Sequence, residues 1–117
     1  MENRDLASLV LPEGLLERFD VIKIEEDKSA SGDRGEYHIW LDEKNIQPST
    51  EGSYESKGFG KSKKIQDFPI RGKFVFLHVR RRIWRDKEDS KKVIKSDYRF
   101  TAKGVKLTEE LADFLKG

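Results

Sequence analysis

The stretch Asp67-Phe-Pro-Ile-Arg-Gly-Lys-Phe-Val-Phe-Leu-His-Val-Arg-Arg-Arg-Ile-Trp-Arg85 leaves this chain few ways to fold. Pro69 and Gly72 set a turn, and Lys73 to Arg85 then reads as one long strand. Because strand side chains alternate, Val75, Leu77, Val79 and Ile83 share a face with Arg81 and Arg85. Phe74, Phe76, His78, Arg80, Arg82 and Trp84 share the other. The first half is apolar on both faces, as in a strand enclosed on both sides. The second half gathers arginines around Trp84. Such an end suits phosphate contacts and base stacking. It equally suits a solvated strand end whose arginines cover the indole and pair with carboxylates elsewhere.

The charge distribution sharpens this. Over 117 residues the net charge is only +2, but residues 1–51 hold 6 basic and 13 acidic side chains. Residues 57–85 hold 10 basic side chains against Asp67 alone. A local field of that kind attracts polyanions even where the total does not. Lys57, Lys61, Lys63, Lys64, Arg71, Lys73 and Arg80 to Arg82 would be neighbours if this part folds as a hairpin. The length fits one domain with one modest core, and charged residues make up 39% of it. With no cysteine, disulfides, thiolate zinc and cysteine nucleophiles are excluded. No signal-like or membrane-spanning run is present, and a cytoplasmic protein is expected.

Elsewhere the pattern predicts a short helix from Pro12 to Phe19 and a strand from Asp20 to Glu25. Glu36 to Leu41 forms its antiparallel hairpin partner. Residues 42–63, polar and rich in Gly and Ser, read as a long flexible loop. Lys64 to Phe68 is a short strand, Lys92 to Phe100 a returning strand, and Thr108 caps a final helix bearing Leu111, Phe114 and Leu115. The expected fold is α+β: a small antiparallel sheet with a short helix at each end.

Candidate chemistry is sparse. The only histidines, His38 and His78, fall on separate strands without a third ligand, so a structural role outweighs a metal site. Gly58-Phe-Gly60 lacks the strand–loop–helix setting of a phosphate cradle. Acidic pairs such as Glu25/Glu26 and Glu109/Glu110 read as solvated charges, and no nucleophile–base arrangement stands out among the serines. No enzyme, cofactor or small-molecule substrate is expected.

The runs Leu11-Pro-Glu-Gly-Leu-Leu-Glu-Arg-Phe19, Ser56-Lys-Gly-Phe59, Ile65-Gln-Asp-Phe-Pro-Ile-Arg-Gly-Lys73, Val79-Arg-Arg-Arg-Ile-Trp-Arg85 and Phe114-Leu-Lys116 together resemble a known family. It is the N-terminal region of Aon-type insertion-sequence transposases, which look like a branch of the IS-L-three group. In that group, the resemblance implies, the head is a zinc ribbon. Its Cys pairs would fall near 48–51 and 85–88, where this chain has none, so zinc-ribbon-like hairpins without metal are implied. The family's catalytic acidic triad has no counterpart here. The resemblance therefore implies a non-catalytic head or accessory domain that binds transposon-end DNA. Its contacts would be Lys63, Lys64, Arg71, Lys73, Arg80, Arg81, Arg82 and Arg85, with Trp84 as a packing or stacking residue. The alternative is a module that docks onto the catalytic transposase subunit without reading DNA.

Overall fold

A computed structural model describes residues 11, 14–28, 35–48, 51–95 and 108. One helical turn, α1 (Leu15–Arg18), leads into seven strands. These are β1 (Phe19–Asp27), β2 (Glu36–Glu43), β3 (Tyr54–Phe59), β4 (Lys63–Ile70), β5 (Lys73–Arg80), β6 (Arg82–Asp86) and β7 (Val93–Lys95). They form two sheets, a four-stranded one ordered β1-β2-β5-β4 and a three-stranded one ordered β3-β6-β7. The fold is small and mostly β, with one short helix among the described residues.

The expected β1–β2 hairpin forms, antiparallel, with Ile24 opposite Ile39 and Glu25 opposite His38. The β4–β5 hairpin also forms, closed by Arg71 and Gly72 between Ile70 and Lys73. Both turn residues have positive φ, 51° and 78°, as a type I′ turn requires, so Gly72 is at ease and Arg71 is the strained member. Pro69 lies where the β4 register shifts, on a strand at the sheet edge, so its missing N–H breaks no inner ladder.

Four expectations are corrected. The sheet is not wholly antiparallel, because β5 lies parallel to β2, Ile39 beside Leu77 and Asp42 beside Arg80. Residues 42–63 are not one loop, because Tyr54–Phe59 is strand β3, paired with β6. The first helix is a single turn, started by Gly14 in the left-handed region and ended by Phe19 in extended conformation. The long strand 73–85 is two strands. It leaves the first sheet at Arg81 and enters the second at Arg82. That step shifts the alternation by one residue, so odd residues Val75, Leu77 and Val79 are buried in β5, but even Trp84 is buried in β6. The returning strand survives as β7; residues 96–100 and the final helix lie outside the described residues.

One aliphatic core holds the larger sheet. Leu11, Leu15 and Phe19 cover Ile39, Leu41, Ile65, Val75, Leu77 and Val79. Leu77 and Leu41 are fully enclosed, each worth about 2–3 kcal/mol of apolar burial. Thr108 reaches the rim of this core: its N–H donates to the Gln66 carbonyl and its hydroxyl donates to buried Asp67 at 2.8 Å. Burial raises the Asp67 pKa, while the Thr108 hydroxyl and the Phe68 N–H act in the opposite direction.

Candidate nucleic-acid interface

The two sheets meet along a seam, and the basic residues collect there. Phe59 pairs with Arg82, the Gly60 N–H donates to the Arg81 carbonyl at 2.8 Å, and Lys63 pairs with Val79. The segment 59–63 therefore runs beside 79–82, and Lys61, Lys63, Arg80, Arg81 and Arg82 become neighbours. Lys95 joins them from β7: a Cβ on Gly60 would stand 3.6 Å from its ammonium. Lys61, Lys63 and Lys95 are exposed and make no ion pair among the described residues.

Two arginines in the seam are held in fixed poses. Arg80 donates through Nε and Nη2 to both carboxylate oxygens of Asp42, its partner across the parallel ladder. That carboxylate keeps the guanidinium charged, raising its pKa further. Arg82 donates through Nε to the Glu43 carbonyl and through Nη1 to Ser56 Oγ, both at 2.9 Å. Both guanidinium groups lie over the Phe59 ring, 4.3 and 4.6 Å from its centroid. A guanidinium has five N–H donors, so each arginine keeps donors for an incoming oxyanion after these bonds.

Glu43 joins the sheets. It ends β2 almost fully buried, and its Oε1 accepts the Arg82 backbone N–H at 2.8 Å while Oε2 accepts Trp84 Nε1–H at 3.2 Å. Sequence reasoning missed this residue. The available signal was a carboxylate continuing the alternation of Ile39 and Leu41 onto the core face.

The sequence-predicted contacts divide accordingly. Arg80, Arg81 and Arg82 come together with Lys63, and Lys64 follows on the exposed edge strand with its ammonium 4.3 Å from the Phe76 ring centroid. Arg71 and Lys73 lie at the opposite end of β5, and Lys73 is bound to Glu26 at 3.3 Å. Arg85 is half-buried, its Nε without an acceptor among the described residues. Trp84 is 1% exposed, so it packs the smaller sheet and offers no ring to a base, which corrects its stacking role.

The other face of the larger sheet carries a second cluster. Trp40 and His78 stack with centroids 4.6 Å apart, and His38 stacks on Phe76 at 5.5 Å. His38 Nδ1 and His78 Nε2 are 2.7 Å apart, and His38 Nε2 is 2.9 Å from Glu36 Oε1. Among the described residues no three His, Asp or Glu side chains are arranged to hold a metal, and no helix is long and apolar enough to cross a membrane. No protein-family model, curated protein or solved structure matches the chain.

Proposed function

We propose that this chain is a non-catalytic DNA-binding domain of an insertion-sequence transposase, and that the sugar–phosphate backbone of a transposon end lies along the seam. The observation that carries this is the seam itself. The pairing of 59–63 with 79–82 sets Lys61, Lys63, Arg80, Arg81, Arg82 and Lys95 side by side, with Asp42 and Glu43 as the neighbouring carboxylates. Side chains already held, as Arg80 is by the Asp42 carboxylate and Arg82 by the Glu43 carbonyl and Ser56, lose less freedom when they bind phosphate. The transposase resemblance of the Asp67–Arg85 run supports the reading, with packing and Glu43 holding the zinc-ribbon-like hairpins where the wider group uses metal. Fluorescence anisotropy of labelled duplexes over a range of salt tests it. A transposon-end duplex should bind more tightly than a scrambled one, with a salt slope of several phosphates. Replacing Lys61 and Lys63 by Ala should reduce that slope by about 0.9 per lost contact. An unchanged slope would remove the seam from the interface; equal affinities would remove end recognition.

One observation favours the docking reading. Strand β1 is a sheet edge with Ile22 56% and Ile24 36% exposed, beside Glu25, Glu26 and Asp27. An acidic edge with exposed apolar side chains suits a basic strand of the catalytic subunit. Such docking predicts co-purification with that subunit after nuclease treatment at high salt, lost in Ile24→Lys.

A further inference from the structure

We infer that Glu36, His38 and His78 form a proton relay that, beside Lys64, presents an N–H of His78 to a phosphate of the bound DNA, so that binding takes up a proton. The inference rests on the DNA-binding reading above and extends its surface from the seam onto the open face of the larger sheet.

The hydrogen-bond chain fixes where the protons go. With both rings neutral, His38 Nε2–H donates to the Glu36 carboxylate, which makes His38 Nδ1 an acceptor. His78 Nε2–H then donates to it across 2.7 Å. His78 Nδ1 is left as a bare lone pair, with no hydrogen-bond partner among the described residues. The ring is half-buried and lines an open pocket, so solvent reaches it. One added proton turns Nδ1 into a donor and breaks no existing bond. Wherever the proton between the rings sits, the chain then reads Glu36 carboxylate, His38, His78, outward N–H. Glu36 at the inner end stabilises the added charge.

The surroundings carry both signs, and the β4 side of His78 favours an anion. Lys64 stands directly opposite His78 on β4, Lys23 lies over Trp40 at 4.2 Å, and Arg80 follows two residues along β5. From β1 and the residue after it, Glu25, Glu26, Asp27 and Lys28 line a pocket with His38, Trp40 and His78, and β2 adds Glu36 and Asp42. Glu25 is bound to Lys23 at 3.3 Å, Glu26 to Lys73, Glu36 to His38 and Asp42 to Arg80. Burial first, then His38, Lys64 and Lys23, lower the His78 pKa, which favours the neutral ring in the free protein. A phosphate placed between Lys64 and His78 cancels the lysine repulsion and draws the proton on. Binding and protonation are therefore linked.

The experiment titrates the full chain with the transposon-end duplex at fixed salt between pH 8 and 5.5, for wild type, His78→Gln and Glu36→Gln. Wild-type affinity should rise on acidification, by at most about tenfold per pH unit for one proton. His78→Gln should bind with a flat profile, and Glu36→Gln should move the rise to lower pH while keeping the fold. Nitrogen NMR of the imidazoles at pH 7 should show His78 Nδ1 gaining a proton when duplex is added. Binding with the same pH profile in wild type and His78→Gln, or no change at Nδ1, overturns the relay and leaves the DNA reading standing. Absence of binding at every pH overturns both.

Discussion

The two sheets are built from one continuous run of sequence yet are held by different forces. Strand β5 lies between β2 and β4 in an aliphatic core, where every odd residue from Val75 to Val79 is buried. Strand β6, beginning two residues later, buries Trp84 alone and depends on directed bonds from Glu43 and Ser56. Apolar burial is non-directional and tolerates approximate fit, whereas a buried carboxylate demands its partners and leaves them orphaned when it is lost. The larger sheet is thus the scaffold, and the smaller sheet is positioned by a few bonds that also set the arginines of the seam.

Breaking the scaffold should have the largest effect. Leu77→Ala should cost about 3–4 kcal/mol and melt both sheets together in thermal unfolding followed by circular dichroism. Glu43→Ala should cost about 2–4 kcal/mol, by stranding the Arg82 N–H and the Trp84 indole. Hydrogen exchange should show its loosening concentrated in β3, β6 and β7, and an even loss across both sheets would contradict the comparison. Arg82→Lys loses the bonds to Ser56 and the Glu43 carbonyl, so a stability loss of about 1 kcal/mol is expected in denaturant titration, with weaker DNA binding. Arg80→Lys should change stability by less than about 0.5 kcal/mol, because its ion pair with Asp42 is half-exposed.

Asp67 sharpens the contrast from the scaffold side. Its folded pKa is raised above the ordinary value by burial, so its contribution is fully present below the unfolded pKa near 3.8. That contribution is lost as pH rises through the folded value. Asp67→Asn keeps an acceptor for the Thr108 hydroxyl and should therefore melt higher than wild type at pH 7. The difference should shrink as pH falls toward about 4, and a difference independent of pH would show that the carboxyl's charge does not matter there.

Much of the scaffold was legible in the sequence. Alternation placed β1 against β2, and Pro69 with Gly72 marked the β4–β5 turn, because local side-chain spacing and positive φ are properties of a few adjacent residues. Strand β3 was hidden: Tyr54-Glu-Ser-Lys-Gly-Phe59 has a polar interior and gains its strand geometry from pairing with β6. For the candidate site, the basic residues could be named, but their division could not. Whether an arginine meets solvent, Asp42 or Glu43 depends on which strand lies beside it.

The sequence by itself determined the local hairpins, the apolar faces of β2 and β5, the absence of thiol chemistry and the concentration of positive charge after residue 57. Tertiary structure decided the parallel pairing of β2 with β5, the crossing between sheets at Arg81 and the burial of Trp84. It also decided the meeting of His38 with His78 across 40 positions of chain. The physical reason is range: periodicity records which face a side chain prefers, and only long-range pairing determines which neighbour that face meets.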